Sequence, residues 1–270
     1  ETRDNGETWT NHFIDEMPYT HRIALADVAG DGKHLLFVGT LQGGEGGLDE
    51  FEYPGALWCY KLPDDPVNDP WEKRLIDGEL HVNHGMSVGD VDGDGRPDVL
   101  IGARDGLIWF EPPEGDAFEG EWKKWVISDR ESSEVFTVDL DGDGVNEFLS
   151  IEPWHGNELV WYKATGGIRD GKWDRFLIDD SLNRGHSVCG VDIDDDGVIE
   201  VISGYNGPGT SLHLYRPEDL SANKWVKETI DDGGLGIGQM EVLDMNQDGR
   251  LDIVASGMST GNVKWYEQVG

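Results

Sequence analysis

The chain has 270 residues and a net charge of −34, because 55 acidic residues outnumber 21 basic ones. So acidic a surface repels phosphate backbones and anionic lipids, which excludes nucleic acid and acidic membranes as expected partners. The sequence contains no apolar run long enough to cross a bilayer and no recognisable signal peptide. We expect a monomer in a secreted or extracytoplasmic location, with no membrane partner.

A sequence motif occurs five times along the chain, and each copy is a tryptophan followed five residues later by Ile-Asp or Ile-Ser. The tryptophans are 62, 51, 51 and 52 residues apart. A period near 50 residues is typical of repeats that bury their faces against one another. The copies begin at Trp9, Trp71, Trp122, Trp173 and Trp225.

Between successive copies lie four short segments of β-type pattern, which we call strands A to D. In the second repeat they cover residues 84–91, 99–102, 107–110 and 122–127, and Gly, Asp and Pro turn signals separate them. The same order recurs along the chain, and no segment reads as a helix longer than one turn. Four-stranded units at this period predict an all-β, five-bladed β-propeller of antiparallel blades with strand A innermost.

We predict a single propeller domain over residues 1–270, with blades 1 to 4 at about 21–77, 84–128, 133–179 and 186–231. The fifth blade would combine residues 238–267 with the N-terminal segment 9–15, which reads as a D strand. An N-terminal outer strand would close the ring and leave no unpaired edge. A piece of a larger propeller that begins at the same point of the repeat would show the same pattern. Cys59 and Cys189 fall in different repeats, which favours two buried free thiols.

Four loops between strands A and B carry oxygen ligands at positions 1, 3, 5 and 9 and a glycine at position 6. This spacing wraps a hard cation, and calcium accepts six to eight oxygens. An EF-hand would need flanking helices and a glutamate at position 12, and neither is present. Plain acidic turns are the alternative, but four copies in register favour four structural calcium sites. The first repeat has Ala29 and Leu35 at positions 3 and 9, so we expect no calcium there. The predicted calcium ligands are Asp90, Asp92, Asp94 and Asp98; Asp139, Asp141, Asp143 and Glu147; Asp192, Asp194, Asp196 and Glu200; and Asp244, Asn246, Asp248 and Asp252.

These loops, the repeated Trp…Ile-Asp motif and strand C segments such as 107–110 resemble the repeats of FG-GAP/VCBS propellers, and the resemblance covers nearly the whole chain. Similar propellers occur in integrin heads, in fungal lectins, in polysaccharide lyases and in aldos-2-ulose dehydratase. The resemblance implies the fold and the cation loops, but it does not choose among these functions. Such relatives mostly have seven blades, so five blades would be a departure.

Three histidines occupy one register position, six residues before the first aspartate of each loop: His21, His84 and His186. Strand A lines the central channel of a propeller, so these imidazoles should converge at its mouth, on the face opposite the acidic loops. Neutral imidazoles suit a transition metal such as Zn²⁺ or Mn²⁺, and Glu134 or Gln239 could add an oxygen ligand. Three protein ligands and an open position form a catalytic metal site. A metal-free polar site and a purely structural role are the alternatives.

The loops between strands B and C surround the same mouth, and the first of them, residues 41–55, is much longer than its counterparts. Long loops in compact domains often act as lids or binding elements. We expect Trp154 and Tyr205 to stack on sugar rings, and Arg22 and Arg104 to hold a carboxylate. The predicted substrate-binding residues are Gln42, Tyr53, Arg104, Glu134, Trp154, His155, Asn206 and Gln239.

The sequence has no nucleophile elbow, no reactive-cysteine context, no zinc-protease helix and no phosphate loop, which disfavours hydrolases and nucleotide-dependent enzymes. The resemblance to lyase propellers implies a lyase or dehydratase that acts on a sugar or a uronate-containing glycan by carbon–oxygen β-elimination. That reaction needs a base and a group that stabilises the enolate. A non-catalytic, calcium-stabilised module that binds carbohydrate or protein is the alternative, followed by a structural domain that holds only calcium. The predicted catalytic residues are His21, His84, His186, Arg22 and Tyr205.

Overall fold

The computed structural model of the protein describes residues 9–45, 47 and 50–269. Residues 1–8, 46, 48, 49 and 270 of the predicted domain lie outside the described residues. Nineteen strands form five antiparallel sheets, and the described chain has two single turns of 3-10 helix, Ile168–Asp170 and Leu220–Ala222. None of its helices is long and apolar enough to cross a membrane. The prediction of an all-β, five-bladed propeller is confirmed.

Each blade is a meander whose strands pair in chain order. Blade 1 contains β1 (Thr20–Ala26), β2 (Leu35–Thr40), β3 (Leu57–Lys61) and β4 (Glu72–Asp77). Blade 2 contains β5 (Gly85–Gly89), β6 (Asp98–Ala103), β7 (Gly106–Glu111) and β8 (Lys123–Ser128). Blade 3 contains β9 (Glu134–Val138), β10 (Glu147–Glu152), β11 (Glu158–Ala164) and β12 (Trp173–Asp179). Blade 4 contains β13 (Gly185–Val191), β14 (Glu200–Tyr205), β15 (Ser211–Asp219) and β16 (Lys224–Asp232), and blade 5 contains β17 (Ile237–Leu243), β18 (Asp252–Gly257) and β19 (Asn262–Tyr266).

The first strand of every blade is its innermost strand. Strands β1, β5, β9, β13 and β17 contact one another in that order. Arg22 of β1 donates a hydrogen bond to Gln239 Oε1 of β17 at 3.2 Å, which links the first and last blades. The channel mouth is therefore built from equivalent positions of all five repeats.

Neighbouring blades share apolar cores, since strands such as β6, β7, β10 and β14 are buried on both faces. Between blades 1 and 2, for example, Phe37 and Cys59 belong to one cluster with Ile101 and Phe110. Three further clusters join blades 2 and 3, 3 and 4, and 4 and 5. Both thiols are free as predicted, although Cys189 is partly exposed whereas Cys59 is buried.

The aspartate of the repeated motif lies at the end of an outer strand and accepts hydrogen bonds from the next blade. Asp179 accepts hydrogen bonds from Tyr215 Oη and Lys227 Nζ, both at 2.6 Å. Asp231 accepts equivalent bonds from Tyr266 at 2.7 Å and Lys264 at 2.6 Å. Asp179 thus ties the outer strand of blade 3 to strands C and D of blade 4. Asp231 ties the outer strand of blade 4 to strand C of blade 5. The same link recurs with Asp15 to Tyr60 and Lys73, Asp77 to Lys124, and Ser128 to Tyr162.

One detail of the predicted fold is wrong. The segment 9–15 does not form a strand, and the fifth sheet has three described strands in the order β17-β18-β19. Asp15 nevertheless accepts hydrogen bonds from Tyr60 at 2.8 Å and Lys73 at 2.6 Å. The other aspartates of the repeated motif contact the blade that follows them in the same way. Asp15 therefore contacts blade 1, although the segment 9–15 is not paired as a strand. Its sequence signature reflects the contact between blades rather than strand pairing.

Candidate functional site

A cluster of imidazoles lies at the channel mouth. One ring nitrogen from each of His84, His155 and His186 lies within 4.8 Å of the others. His84 is at the centre, with its ring centroid 4.7 Å from that of His155 and 5.0 Å from that of His186. The ring of His21 lies 4.6 Å from His84 on the other side. We call these four residues the histidine cluster.

The local backbone directs these side chains inward. Pairing irregularities interrupt the innermost strands at the histidine position in blades 1 and 5 and one residue after it in blade 4, and such bulges re-aim side chains. His155, in the loop between β10 and β11, has a positive φ of 49°, and Ser187 beside His186 has a φ of 67°. Non-glycine residues in this region store strain of about 1 kcal/mol or more, which is typical of functional sites.

Hydrogen bonds fix the tautomers of two cluster residues. His84 Nδ1 lies 2.7 Å from the carbonyl oxygen of Ser133, and His21 Nδ1 lies 3.0 Å from the carbonyl oxygen of His84. A carbonyl only accepts, so each Nδ1 carries the proton and each Nε2 presents a lone pair. Metal-binding histidines are oriented by the same kind of bond.

Two further nitrogens test whether a metal fits. His84 Nε2 and His155 Nε2 are hydrogen-bonded to each other at 3.0 Å, a separation close to the roughly 3.3 Å between two nitrogens on a tetrahedral zinc. His186 Nδ1 is buried and has no hydrogen-bond partner among the described residues. A buried ring nitrogen without a hydrogen-bond partner is costly unless a ligand engages it. The donor set of His84, His155 and His186 therefore fits Zn²⁺ or Mn²⁺.

The pKa values of the cluster favour neutral imidazoles. Burial lowers the pKa of His186 to about 4. Burial, together with the neighbouring His84 and His186, lowers the pKa of His155 to about 3. Both side chains are uncharged at neutral pH and can act as ligands or as proton acceptors.

One carboxylate and one guanidinium complete the inner site. Arg22 Nη2 donates to Glu134 Oε1 at 2.5 Å, and the same oxygen lies 3.4 Å from His84 Nδ1 and from His186 Nδ1. Burial opposes ionisation of Glu134, but the hydrogen bond with His84 and the charge of Arg22 outweigh it and lower the pKa of Glu134. The site thus contains an ionised carboxylate next to the imidazoles of His84 and His186.

An aromatic and basic rim borders the cluster. The indole of Trp154 stacks on His155 with a centroid separation of 5.0 Å, and Phe51 of the long first loop packs edge-on against Trp154 at 5.0 Å. The Arg104 guanidinium lies 5.8 Å from the Trp154 ring. Arg104 lies 3.6 Å from Glu131 and lines a cavity of about 540 Å³ with Glu50, Phe51, Glu52 and Tyr53. This rim offers stacking surface and one guanidinium, among acidic side chains, next to the imidazoles.

Three predicted site residues lie away from the cluster in the described structure. Tyr205 packs against the core between blades 3 and 4, with its ring 6.0 Å from that of His213. Asn206 is buried and donates to the carbonyl of Ile237 at 3.2 Å, which ties blade 4 to blade 5. Gln42 is buried and donates to the carbonyl of Gly47 at 2.7 Å, inside the first loop.

The sequence alone missed two neighbours of the cluster. Arg184 Nη2 lies 3.4 Å from His155 Nδ1, and Phe51 supports Trp154. His155 was expected only as a substrate contact, whereas it replaces His21 in the group of three nitrogens that converge. A signal for Arg184 was available, since it lies two residues before His186 on the turn into β13.

The acidic loops lie at the other end of the innermost strands. Three of their carboxylates converge within 4.8 Å in blades 2, 3 and 4: Asp90, Asp92 and Asp98; Asp139, Asp141 and Glu147; and Asp192, Asp194 and Glu200. The residues at position 9 are buried, and burial raises the pKa of Asp98 and of Glu147 to about 7. These groups could hold a hard cation.

Comparisons with known proteins agree with this architecture. Residues 90–150 match the FG-GAP-like repeat family. The predicted resemblance to propellers of this type is confirmed.

Individual relatives are distant. The chain is 24% identical to aldos-2-ulose dehydratase of Phanerodontia chrysosporium over 87% of its own length, but it spans 28% of that protein. A lectin from Agrocybe aegerita that recognises non-reducing terminal N-acetylglucosamine has a similar fold, with a TM-score of 0.54 at 12% identity over 92% of this chain and 66% of the lectin. The rhamnogalacturonan lyase YesW gives a TM-score of 0.50 at 16% identity over 92% of this chain and 50% of the lyase. The chain is therefore a propeller similar to carbohydrate-active enzymes and lectins.

Proposed function

We propose that this protein is a carbohydrate-active lyase or dehydratase that performs carbon–oxygen β-elimination on a sugar or a uronate-containing glycan. The observation that carries the proposal is the convergence of His84, His155 and His186 with the Arg22–Glu134 ion pair at one channel mouth. The similarity to a dehydratase and to a lyase supports the reaction class.

β-Elimination moves a proton from the carbon next to a carbonyl or carboxylate to a base, forms a carbon–carbon double bond and breaks the bond to an oxygen on the following carbon. We assign the base to His21, because its Nδ1–H is engaged by the His84 carbonyl and its Nε2 is left as acceptor. The expelled oxygen takes a proton from solvent. Arg104 and Arg184, on the rim, supply positive charge for a substrate carboxylate.

The inner residues have supporting roles. Glu134 places a negative charge beside His84 and His186, and Arg22 compensates that charge. When bound at His84, His155 and His186, a divalent transition metal such as Zn²⁺ or Mn²⁺ supplies a Lewis acid for the oxygen of the activated carbonyl or carboxylate. Trp154 provides an apolar surface for a sugar ring. Tyr205 has no part in this proposal because it faces His213.

Metal analysis of the purified protein and of three variants tests the site. We expect one Zn²⁺ or Mn²⁺ per chain, lost in His84→Ala and in His186→Ala but retained in His213→Ala, which removes a buried imidazole outside the cluster. Incubation with uronate-containing glycans should then give unsaturated products with the ultraviolet absorbance of α,β-unsaturated acids. A protein that binds no transition metal would contradict the metal-dependent form of the proposal.

A binding module is the second candidate, and the rim of Trp154, Phe51 and Arg104 favours it, since aromatic platforms next to charged groups are common in sugar sites. It predicts sugar binding that Trp154→Ala weakens about tenfold, without product formation on any uronate or neutral glycan tested. Both candidates include a carbohydrate ligand, a secreted or extracytoplasmic location and a monomeric chain. Light scattering after gel filtration tests the last of these.

A further inference from the structure

The acidic loops differ at one position outside the loop itself. In each blade, the residue after the strand C aromatic lies opposite loop position 9 across strands B and C, because Phe148 pairs with Tyr162, Val201 with Tyr215, Val99 with Phe110 and Ile253 with Tyr266. We call it the facing residue. It is basic in blades 3 and 4 and acidic in blades 2 and 5: Lys163, Arg216, Glu111 and Glu267.

In blade 3 the ammonium of Lys163 lies between the loop carboxylates. Lys163 Nζ donates to Asp141, donates to Asp143 at 2.7 Å and lies 3.5 Å from Glu147 Oε1. These are positions 3, 5 and 9, three of the four side chains expected to hold calcium. An ammonium has three donors and no acceptor, so its donors match three carboxylates.

Blade 4 repeats this arrangement with a guanidinium. Arg216 Nη1 donates to Asp194 Oδ2 at 2.8 Å and to Glu200 Oε1 at 2.7 Å. One positive group again bridges positions 3 and 9. The carboxylates of Glu147 and Glu200 are almost fully buried, and a buried carboxylate needs a cation or hydrogen bonds. In each of these blades the facing residue provides the cation.

Blade 2 lacks a cation that bridges positions 3 and 9. Its facing residue, Glu111, accepts hydrogen bonds from Lys123, Trp125 and Arg169. Arg169 also bonds Asp92 at position 3, and Arg96 bonds Asp94 at position 5. Neither guanidinium bonds Asp98 at position 9 in the described structure. Like charges opposite each other on paired strands destabilise a sheet, so Asp98 and Glu111 favour an added cation.

Blade 5 is similar. Glu267 accepts from Asn246 Nδ2 at 3.0 Å, and Arg250 bonds only Asp248 among the loop side chains. Asp252 at position 9 accepts two backbone N–H groups and keeps further lone pairs. Glu267 thus places an additional acidic side chain beside the loop instead of a positive one.

We infer that Lys163 and Arg216 are built-in cations that take the place of calcium in blades 3 and 4, so that blades 2 and 5 alone bind it. The loop pattern predicts four calcium ions, whereas the facing residues reduce the number to two. The inference does not depend on the proposed reaction.

Calorimetric titration of the chelator-treated protein with CaCl₂ tests the count. We expect two calcium ions per chain for the native sequence, three for Lys163→Met or Arg216→Met, and four for the double variant. Methionine keeps an unbranched apolar stem and removes the charge. Lys227→Met, which removes an ammonium that pairs with Asp179 outside the loops, should leave the count at two.

The reverse substitution completes the test. Glu267→Lys should close the site of blade 5 and lower the count to one, and it does not require a charge to be removed from blades 3 and 4. If Lys163→Met folds only when calcium is added, recovery of its melting transition by CaCl₂ gives the same answer. A native count other than two, or an unchanged count in both Lys163→Met and Arg216→Met, would overturn the inference.

Discussion

The link between blades 3 and 4 gives a sharp prediction about stability. Asp179 is nearly buried and accepts from Tyr215 and Lys227, both at 2.6 Å. Burial alone would raise the pKa of Asp179, but these hydrogen bonds outweigh it and lower that pKa to about 2. The difference from the ordinary value of 3.8 corresponds to about 2 kcal/mol of stabilisation of the folded state.

Asp179→Asn should therefore lower the free energy of unfolding by about 2 kcal/mol, or the melting temperature by roughly 4 to 8 °C for a domain of this size. Asparagine keeps the shape but removes the charge that Lys227 and Tyr215 satisfy. Because the folded-state pKa is depressed, the stabilisation is complete above about pH 4 and is lost as the pH falls towards 2. The difference between native and variant proteins should accordingly be smaller at pH 3 than at pH 6.

Asp180→Asn is the matched control, since it neutralises the adjacent, exposed aspartate. Thermal melts followed by circular dichroism at both pH values would compare the three proteins. Equal melting temperatures for Asp179→Asn and Asp180→Asn at pH 6 would refute the reasoning, and so would a difference that grows on acidification.

Three further changes probe the channel mouth. His186 is 5% exposed and burial lowers its pKa to about 4, so the unfolded chain binds more protons than the folded chain between pH 6.5 and pH 4. The free energy of unfolding of the metal-free protein, measured by urea titration, should therefore fall by about 2 to 3 kcal/mol as the pH falls from 6.5 to 4. The decrease should be smaller in His186→Asn. Glu134→Gln leaves the Arg22 guanidinium, which is 16% exposed, without its carboxylate; we expect a loss of about 2 to 3 kcal/mol in the same assay at pH 7. Trp154→Ala removes the ring that faces Arg104 and should weaken binding of a sugar ligand about tenfold, measured by calorimetry.

The repeat explains why much of the site could be predicted from the sequence. Residues at one register position of strand A must lie at one level of the channel, so His21, His84 and His186 could be brought together by counting from the loop aspartates. Glu134 and Gln239 follow from the same count, one residue further along their strands. The repeat period sets where each residue lies along its strand, so it also predicts the level of the channel at which the side chain lies.

Loop residues are not fixed in this way. His155 enters the cluster because the β10–β11 turn holds it at a positive φ, which no register position dictates. Tyr205 is the last residue of β14, and Asn206 follows it, but their side chains turn into blade contacts. The segment 9–15 carries the signature of an outer strand, yet hydrogen-bond pairing depends on a partner edge that the local sequence does not specify.

The boundary between blades 5 and 1 differs from the other four boundaries, although its sequence follows the same repeat. Val263 and Trp265 of β19 are 72% and 48% exposed, whereas their counterparts Leu159 and Trp161 in blade 3 are 0% and 2% exposed. No apolar cluster joins blade 5 to blade 1 among the described residues, and the link through Arg22 and Gln239 is polar. In repeat proteins, stability is approximately the sum of the repeats and of the interfaces between neighbours. Among the described residues, blades 2, 3 and 4 therefore have two apolar interfaces each and blades 1 and 5 have one. We accordingly expect the blades that carry His84, Glu134 and His186 to be the most stable part of the ring.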